Sequence, residues 1–187
     1  MAAADLIELW RGGIRESVHR AHAVVWDRGG IRAAWGDPDA VIFPRSSCKM
    51  IQALPLIESG AAATAGLGSE HLALACASHN GAAMHVDRVG AWLKALGLAE
   101  PDLRCGAHMP GDPAENRRLT CSDESPCQLH NNCSGKHAGF LTLNRHIGGN
   151  PEYHLPDHPV QQAFRAAFEE VTDETSPGYG IDGCSAP

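Results

Sequence analysis

The order of strand-like and helix-like patterns along the chain is the feature that most constrains its fold. Before Pro44 the pattern is short and β-like, with apolar segments at residues 23–26, 31–35 and 41–43 that turn residues separate. These segments predict an antiparallel meander whose last strand leads into a helix at Ser46. The later patterns are mostly helical, and this mixture predicts an α+β fold with an antiparallel sheet and packed helices.

Apolar residues recur at helical spacing in five places after Pro44. Pro55 is expected to break or kink the first of these helices. The predicted caps are Ser46, Ser69 and Ser134, with Asp157 or His158 before the last helix, and the remaining helix carries a stripe of Val86, Val89, Leu93 and Leu96. Residues 100–129 are rich in turn-forming types and predict a long, functional loop region, and residues 179–184 predict a final strand.

Composition limits the classes of protein to which the chain can belong. Its 187 residues predict a single domain, residues 1–187, that buries about 70% of its unfolded surface. The net charge of −7 offers no basic field for phosphates, so we expect a small-molecule substrate rather than a nucleic acid or an anionic membrane. An acidic start and an odd set of seven cysteines predict a cytoplasmic protein with reduced thiols.

Ser46 and Lys49 form a Ser-x-x-Lys pattern at a predicted helix start. Positions three apart share a helix face, so the lysine amine can approach the serine hydroxyl and act as the base that a nucleophilic serine needs. A cationic neighbour such as Arg45 favours the neutral amine. Penicillin-binding enzymes use the same logic. A capping serine beside a surface lysine gives the same pattern, so the four residues alone leave both interpretations open.

A second polar cluster, Ser78, His79 and Asn80, precedes Gly81 at the predicted end of a helix. A serine, an imidazole and an amide can face a cavity there and hold a polar ligand. The same residues are typical of a helix C-terminal stop, because Asn and Gly readily adopt the turn conformation. The local sequence leaves these two interpretations open.

Cys133 and His137 are four residues apart across a predicted helix start, a spacing that zinc ligands often have. A thiol near a helix N-terminus also loses its proton more readily. Zinc needs a further ligand, and Cys184 could supply it. Buried free thiols explain most of the cysteines equally well, so the spacing alone does not decide between a metal site and a structural role.

Six groups of residues occur in an order that is typical of one family. They are RGG at 11–13 with ESVHRAHA at 16–23, FPRSSCK at 43–49 with QALPL at 52–56, LACASH at 74–79, CGAH at 105–108, LHNNCSGKHAG at 129–139 and DGCSAP at 182–187. In these segments the chain resembles the thermolabile, Rhizobium-type L-asparaginases, called asparaginase II. The resemblance covers nearly the whole chain.

The resemblance implies a serine-β-lactamase-like fold, also found in penicillin-binding proteins, and hydrolysis of L-asparagine to L-aspartate and ammonia. It makes Ser46 the expected nucleophile, paired with Lys49, and Ser78 its neighbouring partner serine. A homodimer is expected for the full-length protein.

The resemblance also implies a Zn²⁺ cofactor and several residues around the substrate. The implied zinc ligands are Cys133, Lys136 and Cys184, and the implied residues around substrate and metal are Arg45, His137 and Asp182. Lys136 thus replaces His137 in the ligand set that the spacing suggests, and His137 moves to a supporting position.

Family members continue beyond the DGCSAP segment and supply there a further lysine that pairs with the position of Ser78. The 187-residue chain is therefore expected to be an incomplete copy that is inactive toward asparagine by itself and prone to associate. Two hypotheses compete: an active amidohydrolase whose remainder lies elsewhere, and a truncated, inactive domain that binds zinc. A penicillin-directed acylase is a third, which the absence of a Lys-Thr-Gly motif disfavours.

Overall fold

The computed structural model describes residues 2–181. These residues form two compact units, of which the first ends at Phe43 and the second begins at Pro44. The strands belong to the first unit and the helices to the second, so the predicted α+β class is confirmed. The serine-β-lactamase-like arrangement and the single domain stay predictions.

Two β-hairpins make up the first unit. Strand β1 (Ala4–Arg11) pairs antiparallel with β2 (Ile14–Ala21) across a two-residue turn at positions 12–13, where both glycines have the positive φ that such turns require. Strand β3 (Ala23–Asp27) pairs in the same way with β4 (Gly30–Trp35). Each hairpin is a separate two-stranded sheet.

The sequence predicted the second hairpin and missed the first. The prediction of a third strand at residues 41–43 is wrong, because these residues are exposed and have no ladder partner within residues 2–181. The predicted meander is therefore replaced by two hairpins, and an irregular segment, not a strand, precedes Ser46. Residues 179–181 are not a strand either, and residues 182–184 lie outside the described part of the chain.

Helices joined by turns make up the second unit. They are α1 (Lys49–Gln52), α2 (Leu54–Glu58), α3 (Ala61–Thr64), α4 (Ser69–Cys76), α5 (Ala83–Ala95), α6 (Pro113–Thr120), α7 (Ser134–Ile147) and α8 (Pro159–Thr172). Single 3-10 turns occur at Arg45–Cys48, Glu100–Asp102 and Gln128–His130. No helix within residues 2–181 combines the length and the apolar character that a membrane span requires.

Helix α7 is the most deeply buried element of the second unit, since all of residues 134–144 are buried. It packs on α4, and Gly135 makes this possible because a Cβ at that position would collide with the Leu74 backbone. Val89, Trp92 and Leu93 of α5 join the same apolar core. Each large apolar side chain buried in this way contributes roughly 1.5–3 kcal/mol.

The helix predictions have mixed outcomes. The stripe on α5 and the start of α8 are confirmed, and the His158 ring caps α8 by accepting the Val160 N–H at 3.1 Å. The break at Pro55 is confirmed, because α1 ends at Gln52 and α2 begins at Leu54.

The three predicted serine caps are wrong. Gly68 and Cys133 occupy the cap positions before α4 and α7, and Pro44 precedes the 3-10 turn that contains Ser46. Neither Pro44 nor Cys133 makes a side-chain cap hydrogen bond, and at Gly68 the backbone N–H instead donates to His71 Nδ1 at 3.3 Å. The predicted loop at residues 100–129 contains helix α6, which Asp112 caps by accepting the Glu115 N–H at 3.0 Å.

Candidate active site

The Ser-x-x-Lys segment spans the 3-10 turn Arg45–Cys48 and the first residue of α1. Arg45 has a φ of 51°, a left-handed conformation that costs a non-glycine residue on the order of 1 kcal/mol or more and that is often found at functional sites. Ser46 follows it and is exposed, and its carbonyl accepts the Lys49 backbone N–H. The turn therefore places Ser46 at the surface.

Cys48 is the last residue of this turn and is not a competing nucleophile. Its side chain is buried, and its thiol donates a hydrogen bond to the Arg45 carbonyl at 2.9 Å. Burial raises the pKa of the Cys48 thiol, and the nearby charge of Lys136 offsets only part of that rise. The thiol therefore stays protonated, and an unreactive thiol is the expected form.

Lys49 is only 2% exposed, and polar atoms surround its buried amine. Its Nζ donates to the Ala77 carbonyl at 2.8 Å, to Ser78 Oγ at 2.8 Å and to the Asn132 carbonyl at 3.5 Å. Three acceptors match the three N–H groups of an ammonium, so the buried charge is compensated by hydrogen bonds.

The structure pairs Lys49 with Ser78, where the sequence expected Ser46. Within residues 2–181 no hydrogen bond joins Lys49 Nζ to the Ser46 hydroxyl, so the predicted contact three residues apart is not seen. Ser78 as a whole is an exposed residue. Lys49 and Ser78 come from α1 and from the segment after α4, and the packing of these two helices brings them together.

His79 ties the Ser78 segment to the start of α7. Its backbone N–H donates to the Asn132 carbonyl at 3.2 Å, and its Nδ1 accepts the Gly81 N–H at 3.1 Å. The ring proton therefore lies on Nε2, which donates to Ser134 Oγ at 2.9 Å. Ser134 Oγ in turn donates to the Leu129 carbonyl at 3.0 Å, so each donor in this series of hydrogen bonds has an acceptor.

His79 is neutral at physiological pH. Burial is the largest of the causes that lower its pKa from 6.5 to about 4, and the neighbouring His85 and Lys49 contribute to the same shift. The His85 ring stacks on it at 4.9 Å between centroids. A neutral His79 agrees with the tautomer that its hydrogen bonds require.

Two of the predicted zinc ligands lie together at the start of α7. Cys133 precedes the helix and Lys136 lies in its first turn, and both side chains are buried. Burial and the neighbouring Cys133 thiol raise the pKa of Cys105 to about 12, so a second thiol lies close by. Among residues 2–181 no group of three or more His, Cys, Asp or Glu side chains is placed to hold a metal ion. The third predicted ligand, Cys184, lies outside the described residues.

His137 is fully buried, and its Nδ1 lies 2.8 Å from the Tyr153 hydroxyl. That hydroxyl accepts the Arg104 backbone N–H at 2.8 Å, so its own proton is available to His137. Burial raises the pKa of Tyr153, which keeps this donor neutral. Tyr153 thereby orients the ring, and the supporting role of His137 around substrate and metal stays a prediction. Asp182 lies outside the described residues.

Two residues of the site were missed in the sequence. Asn132 supplies the carbonyl that both Lys49 and the His79 N–H approach, and Tyr153 holds His137. The sequence could have indicated Asn132, because it directly precedes Cys133 in a segment typical of the family. Tyr153 lies far away along the chain and no spacing indicates it.

A comparison with protein families supports the resemblance seen in the sequence. The family model described as L-asparaginase II matches residues 7–187, which include every predicted site residue. None of the curated proteins matches the chain.

Proposed function

The chain belongs to the L-asparaginase II family, and on this premise we propose that it hydrolyses L-asparagine to L-aspartate and ammonia. The observation that carries the proposal is the buried Lys49 amine, 2.8 Å from the hydroxyl of the exposed Ser78 and one helical turn from the exposed Ser46. Amide hydrolysis by a serine needs an accessible hydroxyl and a group that takes its proton, and we propose an exposed serine and Lys49 for these two roles.

Lys49 can act as this proton acceptor in its neutral form. Its two remaining N–H groups then donate to the Ala77 and Asn132 carbonyls, and its lone pair accepts the Ser78 hydroxyl proton with the same heavy-atom distances. The two carbonyls orient the amine in either protonation state. Ser78 thus links Lys49 to the surface where a substrate would bind.

We assign the nucleophile to Ser46 because of its place in the FPRSSCK segment. Its Oγ would attack the side-chain amide carbon of asparagine, ammonia would leave with a proton, and water would hydrolyse the resulting aspartyl ester. Ser78 is the alternative nucleophile, since it contacts Lys49 directly. Arg45, His137 and Asp182 are the proposed residues around the substrate, and an exposed guanidinium such as that of Arg45 suits a carboxylate.

The zinc site is part of the same proposal. Cys133 and Lys136 are buried donors three residues apart at the start of α7, a geometry that suits two ligands of one ion, with Cys184 as the third. When bound, zinc would orient the substrate or stiffen the site, since a serine nucleophile is already available. A lysine ligates only as the neutral amine, so binding should release protons.

Zinc content tests this ligand set without an activity assay. We expect stoichiometric zinc in the purified full-length gene product and its loss in Cys133→Ser. The exposed Cys121 provides the matched control, and Cys121→Ser should keep the metal. Stoichiometric zinc that survives Cys133→Ser combined with Cys184→Ser would contradict the ligand set.

The activity itself is tested by the products. The purified protein should release ammonia and aspartate from L-asparagine in equal amounts. Zinc binding without ammonia release would instead support the inactive zinc-binding alternative, which the family match does not favour. A cytoplasmic location and a homodimer belong to the same proposal.

A further inference from the structure

A thiol, an imidazole and a carboxylate lie in a row beside α6, outside the Lys49 site. Cys127 Sγ lies 3.3 Å from His130 Nδ1, and His130 Nε2 lies 3.3 Å from Glu115 Oε1. Arg118 donates two hydrogen bonds to the same carboxylate oxygen, at 2.7 and 3.0 Å. This sequence of groups is the one that activates a cysteine nucleophile in enzymes of unrelated folds.

The hydrogen bonds of His130 determine where its ring proton lies. The Cys127 backbone N–H donates to Nδ1 at 3.0 Å, so Nδ1 carries the lone pair. Nε2 then carries the proton and donates it to Glu115. The Cys127 thiol lies 3.3 Å from the same nitrogen, so it shares this lone pair with the backbone N–H, and the thiol proton passes to Nδ1 when the backbone hydrogen bond opens.

Glu115 is suited to support a positive charge on the ring. Its side chain is only 8% exposed, and Arg118, followed by His130, holds the pKa of the carboxyl below its usual value. A carboxylate that stays ionised beside Nε2 stabilises the imidazolium that forms when Nδ1 takes a proton. Arg118 also bonds Glu124 at 2.7 Å, which fixes its guanidinium from a second side.

Cys48, Cys105 and Cys121 differ from Cys127 in access or in partners. Cys127 is partly exposed, whereas Cys48 and Cys105 are buried and burial raises the pKa of each thiol. Cys121 is more exposed than Cys127, and no hydrogen bond to its thiol occurs within residues 2–181. If access alone determined the rate of oxidation, Cys121 would react faster. If activation by a base determines it, Cys127 reacts faster.

We propose that Cys127 is an activated thiol that hydroperoxides oxidise selectively, at a site separate from the Ser-Lys pair. The Cys127 proton moves to His130 Nδ1, and the sulfur attacks one peroxide oxygen. The O–O bond breaks, and the leaving hydroxide takes the proton from His130 to form water. The sulfur is oxidised to a sulfenic acid while hydrogen peroxide is reduced, so the step needs no other reactant.

Sulfenic acid trapping on the 187-residue chain tests the proposal. The reduced protein is treated with a substoichiometric amount of hydrogen peroxide in the presence of dimedone, and the labelled peptides are quantified by mass spectrometry. We expect Cys127 to be labelled at least about tenfold faster than Cys121. His130→Gln and Glu115→Gln should each slow labelling of Cys127 by about tenfold or more and leave Cys121 unchanged.

Alkylation of the buried Cys105 by iodoacetamide reports whether each variant is folded. Equal labelling of Cys127 and Cys121 in the wild type would overturn the proposal. Unchanged labelling of Cys127 in a variant that still protects Cys105 would overturn it as well. If both variants expose Cys105, the wild-type ratio of Cys127 to Cys121 decides the question.

Discussion

The β-hairpins and the helical unit use the same residue types in opposite ways. Trp10 and Trp26 of the hairpins are 60% and 69% exposed, whereas Trp92 of α5 is 2% exposed. Within residues 2–43 no side chain is buried, and an isolated two-stranded hairpin is marginally stable at best. The helical unit instead has a continuous apolar core built around α7.

This difference indicates why the candidate site lies where it does. Each atom that contacts the Lys49 amine in the described residues belongs to the helical unit, on segments that the core holds in place. A catalytic group needs a position fixed to within a fraction of an ångström, and a packed scaffold supplies this better than an exposed hairpin. The following substitutions test whether the two units really differ in this way.

The largest expected effect is on activity, in Lys49→Met. The variant removes the amine that contacts Ser78, so kcat/KM of the full-length gene product for L-asparagine should fall by about 10³-fold or more. Lys94 is exposed on α5, and Lys94→Met is the matched control with expected wild-type activity. Ammonia release by Lys49→Met close to the wild-type rate would remove Lys49 from the mechanism.

The next effect is on stability, in Leu93→Ala. Leu93 is 1% exposed in the core, so the truncation leaves a cavity and should lower the free energy of unfolding by about 2–5 kcal/mol. Urea denaturation followed by far-UV circular dichroism measures it. A loss below about 1 kcal/mol would mean that the helical core is not closely packed.

The pH dependence of stability reports on His79. Its pKa in the folded state, about 4, lies below the ordinary 6.5, so the unfolded chain binds the proton first as the pH falls. The contribution of His79 to the free energy of unfolding should therefore be constant above pH 6.5 and decrease by about 3 kcal/mol as the pH falls from 6.5 to 4.

His79→Gln removes this contribution and should flatten the decrease in urea denaturation measured across that pH range. The exposed His146 provides the control, since His146→Gln should keep the decrease seen in the wild type. An equally steep decrease in His79→Gln would show that other groups cause it.

The smallest effect is expected for Leu9→Ala, the counterpart of Leu93→Ala in a hairpin. Leu9 is 49% exposed on β1, so the same truncation should change the free energy of unfolding by no more than about 0.5 kcal/mol. Urea denaturation again measures it. A loss above about 2 kcal/mol would show that the hairpin surface is covered in solution and would break the comparison between the units.

Local patterns predicted those elements whose structure depends on local sequence. The apolar stripe of α5 and the Pro159 start of α8 follow from helical spacing and capping, and both are confirmed. Helix α6 was missed because its residues are mostly polar and give no apolar stripe. The hairpin β1–β2 was missed because its alternation separates no buried face from an exposed one.

The site was harder to predict, because its contacts join distant parts of the chain. Spacing placed Lys49 beside Ser46, but the amine instead reaches Ser78, 29 residues away, and the carbonyl of Asn132, 83 residues away. Tertiary packing decides such contacts, and no local period reveals them. Lys49 and Ser78 both belong to segments typical of the family and lie in contact, and their catalytic roles stay predictions.

Ammonia release from L-asparagine by Ser46→Ala, measured on the full-length gene product beside Ser47→Ala, tests the central claim most directly. Ser47 lies on the same turn and its hydroxyl bonds the Pro44 carbonyl, so it is a matched control without a proposed role. The account predicts a loss of more than about 10³-fold in Ser46→Ala and a loss of less than about tenfold in Ser47→Ala. Release by Ser46→Ala within about tenfold of the wild-type rate would contradict it and would transfer the role of nucleophile to Ser78.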